Sequence, residues 1–149
     1  MMNHETKAQE LFASGYNCSQ AVLGAFCEEL GVDLKTAMKI SAPFGAGMGR
    51  MREVCGACSG MFMVAGLLYG NEQPVSAAEK NKHYEIVRLL ADRFKDENGS
   101  IICRTLLGSG AEIGGKPEER TENYYKKRPC ADYVKSAARI MAEYIKENG

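Results

Sequence analysis

Val54-Cys55-Gly56-Ala57-Cys58-Ser59-Gly60-Met61-Phe62-Met63-Val64-Ala65-Gly66-Leu67-Leu68-Tyr69 is a run without a single charge. It is shorter than the ~20 apolar residues that span a bilayer and is interrupted by Gly56, Gly60 and Gly66, so it reads as the central buried helix of a soluble domain. Small residues at 56, 57, 59 and 60 leave one surface of that helix nearly bare, and a second helix or a cofactor can then approach its backbone closely. Close helix packing is the more common use of such a surface. Two thiols, Cys55 and Cys58, stand at the start of the run.

The sequence on either side is helical in period. Ala8, Leu11 and Phe12 make a first apolar stripe that breaks at Gly15-Tyr16. Asn17 is a good N-cap, Gln20 completes a capping-box-like pair with it, and the helix they open runs through Val22 and Phe26 to Gly31. Asp33 caps a short helix through Ile40. Ser76 and Glu79 open a helix containing Ile86, Leu90 and Phe94, which Asn98-Gly99 stops. Val134, Ala137, Ala138, Met141, Tyr144 and Ile145 give the last helix its apolar face. No segment alternates strongly enough to predict a strand. The reading is an all-α helical bundle forming a single domain over residues 1–149, with one long irregular stretch from Gly108 to Arg128. That stretch is either a solvated loop, with one helical turn after Pro117, or a flap over whatever Cys103 and Cys130 hold.

Four of the six cysteines fall where a helix begins. Cys18 follows the Asn17 cap, Cys55 opens the uncharged run, Cys103 lies in the first turn of a short helix that Ser100 can cap, and Cys130 follows Pro129, a residue favoured at helix starts. Unpaired N–H groups and the positive end of the helix dipole favour an anion there, and the thiolate is the form of cysteine that attacks or binds metal. Cys27, nine residues after Cys18, faces the opposite side of its helix and reads as a small buried hydrophobe.

Composition narrows the functional classes. Lysine plus arginine equals aspartate plus glutamate at 19 each in 149 residues, so no global field argues for nucleic acid or an acidic membrane. The short aromatic and basic run Tyr124-Tyr125-Lys126-Lys127-Arg128 does not change that. The first residues have no apolar signal core, which predicts a cytoplasmic location without membrane insertion, where thiols stay reduced. Gly45-x-Gly47-x-Gly49 lacks dinucleotide-binding spacing and reads as a mobile turn that brings backbone near the cysteines. Arg50 and Arg52 are expected at the surface; folded back, they would hold Cys55 as thiolate. His83 reads as solvated.

The intervals of 36, 47 and 26 residues between Cys18, Cys55, Cys103 and Cys130 are not those of a zinc ribbon or finger. The chain instead resembles the redox-active family named C_GCAxxG_C_C for its four cysteines and its Cys-Gly-Ala-x-x-Gly motif, which stands here as Cys55-Gly56-Ala57-Cys58-Ser59-Gly60. Gly15 to Val22, the glycine-rich segment from Phe44 to Arg50, Cys103 to Gly108, and Cys130 carry the rest of the likeness. The resemblance implies redox chemistry at these cysteines. Relatives in split-Soret-type cytochromes imply an iron–sulfur carrier beside c-type haem; this chain has no Cys-x-x-Cys-His, and its only histidines are His4 and His83.

Three functions stay open at this point. Cys18, Cys55, Cys103 and Cys130 would bind an iron–sulfur cluster, [2Fe-2S] being one form, for electron transfer with an unidentified redox partner, or a structural zinc ion as the alternative. Alternatively Cys55 is the exposed, low-pKa attacker of a metal-free dithiol and Cys58 its resolver. The third reading is a non-catalytic helical interaction module, with Met48, Met51, Met61 and Met63 as an adaptable surface; a homodimer is compatible with that surface.

Overall fold

The computed structural model describes residues 3–122, 124 and 129–148. Seven right-handed α-helices are present among them: α1 (His4–Ala13), α2 (Cys18–Leu30), α3 (Leu34–Ser41), α4 (Gly56–Tyr69), α5 (Ala77–Asn98), α6 (Cys103–Leu107) and α7 (Cys130–Asn148). The fold is therefore all-α. Among the described residues no helix is long and apolar enough to cross a membrane.

Local chemistry sets most boundaries. Asn17 accepts from the Gln20 backbone N–H and Gln20 returns the bond to the Asn17 N–H, a complete capping box for α2. Asp33 caps α3 through Thr36, Ser76 caps α5 through Glu79, and left-handed Gly31 and Gly99 end α2 and α5. Ser100 does not cap α6 as the sequence suggests. Its hydroxyl accepts from the Ile102 N–H at 3.0 Å, which closes a turn, and Ile102 itself becomes the N-cap, so Cys103 is the first helical residue.

α2 lies at the centre, packed against α1, α3, α4 and α7, while α7 also packs against α1, α4 and α5. Phe12, Phe26, Met61, Leu90, Phe94 and Met141 are fully buried between them. Burying each such side chain contributes roughly 1.5–3 kcal/mol. α5 buries Leu90 and Phe94 in this core, and half-buried Ile86 packs against it. The methionines do not form one surface: Met61 is core, whereas Met51 is 56 % exposed.

Gly60 is the point where α4 meets α2. A Cβ there would stand 2.6 Å from the Ser19 carbonyl oxygen and 3.0 Å from Val22 Cβ, so the bare surface is used for helix packing. Gly66, in the same helix, has nothing within 4 Å. Gly60→Ala is expected to lower stability by ~1–3 kcal/mol through forced displacement of α2. Gly66→Ala is expected to raise it by ~0.5–1 kcal/mol through helix propensity. Urea denaturation of the two variants checks the opposite signs; equal shifts would mean that Gly60 is not the contact that sets the α2–α4 approach.

Candidate functional site

The four helix starts that carry thiols converge. Cys18, Cys55, Cys103 and Cys130 all line one cavity of about 340 Å³. Cys18 and Cys130 are the first residues of α2 and α7, Cys103 the first of α6, and Cys55 the N-cap of α4. Cys27 is buried away from this chamber, its thiol donating to the Leu23 carbonyl at 3.3 Å, as its position on the helix predicts. Neither histidine is among the described lining residues. His4 stacks on Phe26 and bonds Glu29, and His83, expected to be solvated, is half-buried, with its Nδ1 enclosed and lacking a hydrogen-bond partner among the described residues.

A two-residue antiparallel bridge, Val54 with Ile102, brings Cys55 and Cys103 together. The Cys55 N–H donates to Ile101 O at 2.7 Å, and the Cys103 N–H donates to Glu53 O at 2.6 Å. This bridge also corrects one expectation. Cys55 is only 5 % exposed, because its backbone is tied under the segment that precedes α6, and its sulfur meets the chamber rather than open solvent.

The glycine-rich segment is a built element. Ala46, Gly47, Met48, Gly49 and Arg50 are consecutive residues with positive φ, from 56° to 69°, closed by a Gly49 N–H to Gly45 O bond of 3.0 Å. This is a left-handed turn, and each non-glycine residue in it costs ~1–2 kcal/mol. Gly47 has no alternative: a Cβ on it would stand 2.7 Å from Cys103 Cβ and 2.7 Å from Arg52 Cα. What the turn accomplishes is to aim Arg50 and Arg52 inward. Both were expected at the surface, yet they are 7 % and 4 % exposed and both line the chamber. Their burial is compensated by backbone carbonyls more than fifty residues away, which no local signal announces; the alternation of glycines that ends in these two arginines is the one hint the sequence holds.

Those carbonyls belong to the stretch after α6. Arg50 Nε donates to Gly114 O at 2.8 Å, the Gly114 N–H donates back to Arg50 O at 2.9 Å, and Arg52 Nε donates to Glu112 O at 2.9 Å. At its other end Arg120 donates to the Phe12 and Tyr16 carbonyls, with its guanidinium 4.1 Å over the Phe12 ring. The segment is thus a strap fastened across the chamber by three arginines, and Gly115, Pro117, Glu118 and Arg120 line its inner side. Of the Tyr124–Arg128 run, Tyr124 also lines the chamber, and residues 125–128 lie outside the described residues. The stretch is irregular from Lys116 to Thr121, and helical conformation after Pro117 is present at Glu122 and Tyr124.

The thiols differ in acidity for identifiable reasons. The neighbouring Cys58 thiol, followed by the Ala57 and Cys58 N–H groups at the start of α4, holds Cys55 below the ordinary thiol range despite burial. Burial pushes Cys58 far up, and its bond to Cys55 adds to that. Cys18 is raised by its interaction with the Cys130 thiol, then by burial and the other sulfurs. Burial raises Cys103, opposed by Arg52, whose Nη1 donates to Cys103 Sγ at 3.7 Å. Among the described residues no three His, Cys, Asp or Glu side chains are gathered so as to hold a single metal ion.

The chain belongs to the family described as "Putative redox-active protein (C_GCAxxG_C_C)", whose model matches residues 16–144. That span contains all four chamber cysteines. No curated protein and no solved structure matches the chain.

Two substitutions test these electrostatics in metal-free protein. Cys58→Ala removes the main contact that favours the Cys55 thiolate, so the alkylation profile of Cys55 should move to higher pH. Arg52→Gln should do the same for Cys103, by removing its hydrogen bond and its positive charge. Iodoacetamide labelling against pH, read peptide by peptide by mass spectrometry, measures both; an unmoved profile at either cysteine would show that the named neighbour does not control it.

Proposed function

We propose that the chamber holds an iron–sulfur cluster on Cys18, Cys55, Cys103 and Cys130, and that the protein passes electrons through it to a redox partner in a reducing, cytoplasmic setting. Such a cluster supplies one-electron transfer when bound. The observation that carries the reading is the convergence of four thiols from four separate helix starts on one cavity. The Cys18 and Cys130 thiols interact with each other, and among the described residues no three of these side chains gather round one point. That arrangement suits a polynuclear cluster, in which different thiolates serve different metal atoms, better than a lone tetrahedral zinc ion.

The remaining residues fit the same role. The starts of α2, α4 and α7 place N–H groups and positive dipole ends around the sulfurs, which offsets the anionic charge of a thiolate-ligated centre. Arg52 adds a charged donor to Cys103 Sγ. The strap lines one side of the chamber, and the burial of Cys55 and Cys103 there strengthens these interactions. Cys58, fully buried and turned to Cys55, acts by donating to that sulfur.

One observation favours a second reading. Cys55 is held as the more acidic member of the Cys55-Cys58 pair, the polarity a thiol–disulfide couple requires. Burial of both thiols works against it, since an attacking sulfur needs an approaching substrate.

Anaerobic purification without chelator, followed by iron, sulfide and visible-absorption measurements, decides between them. Stoichiometric iron and acid-labile sulfide are expected, lost in Cys18→Ala and retained in Cys58→Ala. Zinc alone, or no metal together with a Cys55–Cys58 couple that titrates reversibly and survives Cys18→Ala, would overturn the cluster reading.

A further inference from the structure

The chamber is larger than its thiols explain, and its other wall is cationic. A volume of about 340 Å³ lies at the small end of the ~300–1,000 Å³ typical of small-molecule pockets. Its described lining carries Arg50, Arg52 and Arg120 against one carboxylate, that of the exposed strap residue Glu118. Arg120 is committed to the Phe12 and Tyr16 carbonyls. The other two are not spent in this way.

Arg52 bonds Glu112 O through Nε and Cys103 Sγ through Nη1, and its Nη2 has no protein acceptor among the described residues. Arg50 uses Nε on Gly114 O, while both outer nitrogens lack a hydrogen-bond acceptor there. The nearest carboxylate, Glu112, is 3.9 Å from Arg50 Nη2 and 75 % exposed, so it compensates little. Two arginines, each more than nine-tenths buried as a residue, therefore line the cavity with outer nitrogens that no described protein group accepts from. Burying a charge is costly unless a counter-charge and hydrogen bonds meet it, and a guanidinium fork matches the geometry of an oxyanion.

We propose that Arg52 and Arg50 form a binding subsite for a small oxyanion, a carboxylate, sulfur- or phosphorus-centred acid of a few heavy atoms, beside the cysteine sulfurs. The purpose of the subsite rests on the redox reading, in which an anionic substrate is held next to the group that exchanges electrons with it. The binding itself stands on the arginines. Nε anchoring to the strap fixes both forks before a ligand arrives, so little ordering is left for the anion to bring about.

The test uses full-length protein purified without oxygen, with inorganic sulfate as the probe. Sulfate is titrated calorimetrically at constant ionic strength against chloride, with neutral dimethyl sulfone as the shape control. Saturable binding of sulfate and none of the sulfone are expected. Arg52→Gln should weaken sulfate by about tenfold or more, as loss of a charge-assisted bond implies. Arg52→Lys should keep part of the affinity. Arg139→Gln should leave it unchanged, since that arginine is outside the described lining and pairs with Glu97 and Glu143. Absence of saturable binding in the unsubstituted protein would overturn the proposal even if Arg52→Gln failed to fold, as would equal affinities for Arg52→Gln and Arg139→Gln. Iron and sulfide content of the same samples reports on the cluster separately, so failure of one reading is distinguishable from failure of the other.

Discussion

The antiparallel bridge between Val54 and Ile102 is the contact on which the site depends. Its hydrogen bonds join the start of α4 to the start of α6, two segments nearly fifty residues apart in the chain. They fix Cys55 and Cys103 to one another before any metal or disulfide is considered. Because Arg52 and Glu53 lie on the same short segment, the bridge also sets the Arg52 side chain beside Cys103 and offers the Arg52 carbonyl to the Arg104 N–H at 3.2 Å. A helical bundle needs no such bridge to bury its core. Its presence here is explained by what it brings to the cavity.

The left-handed turn of residues 46–50 is the counterpart of that bridge. Local preference opposes it at Ala46, Met48 and Arg50, so it persists only because surrounding contacts over-determine it. Those contacts are the Glu53 N–H to Gly47 O bond of 2.9 Å, the reciprocal pair between Arg50 and Gly114, and the close seat of Gly47 on Cys103. Backbone strain, arginine burial and the closing of the strap are thus parts of one arrangement. The strap would have no fastening if the arginines pointed outward, and the arginines would have no acceptors without the strap.

Much of this molecule is legible in its sequence, for a definite reason. Helix starts and stops are local events, so Asn17 with Gln20, Asp33, Ser76, Gly31 and Gly99 announce them within three or four residues, and the placing of Cys18 at a helix start follows from Asn17 as that of Cys130 does from Pro129. The uncharged run from Val54 to Tyr69 is long enough to be read as a buried helix. What fails is whatever depends on distant partners. A two-residue bridge has no period to detect, and the positive φ values contradict the ordinary preferences of the residues that adopt them. The arginines looked like surface residues because their acceptors, the carbonyls of Glu112 and Gly114, carry no side-chain signature. Ser100 misled in a smaller way: a hydroxyl two residues before a helix N-cap closes a turn with the same chemistry as a cap.

Charge balance connects the two proposals made for the chamber. With its thiols protonated, the described lining presents three guanidinium groups to one exposed carboxylate, and three helices of thirteen, fourteen and nineteen residues direct their positive ends to the same space. Such a cavity favours negative charge on whatever enters it. Thiolates ligating a metal cluster supply that charge on the cysteine side, and an oxyanion supplies it on the arginine side. The two groups of residues are separated by little more than the Arg52 side chain, whose Nη1 meets Cys103 Sγ while its Nη2 remains open. Arg52 thus meets the sulfur side through one nitrogen and lines the cavity with the other, so in these two proposals the charge state of the thiols and the affinity for an anion are coupled. Deprotonating or metallating the cysteines lowers the positive potential felt at the open fork, and an anion seated there raises the cost of a second negative charge on sulfur. On these two proposals, anion binding and electron transfer would be linked by electrostatics alone, with no movement of the fold required.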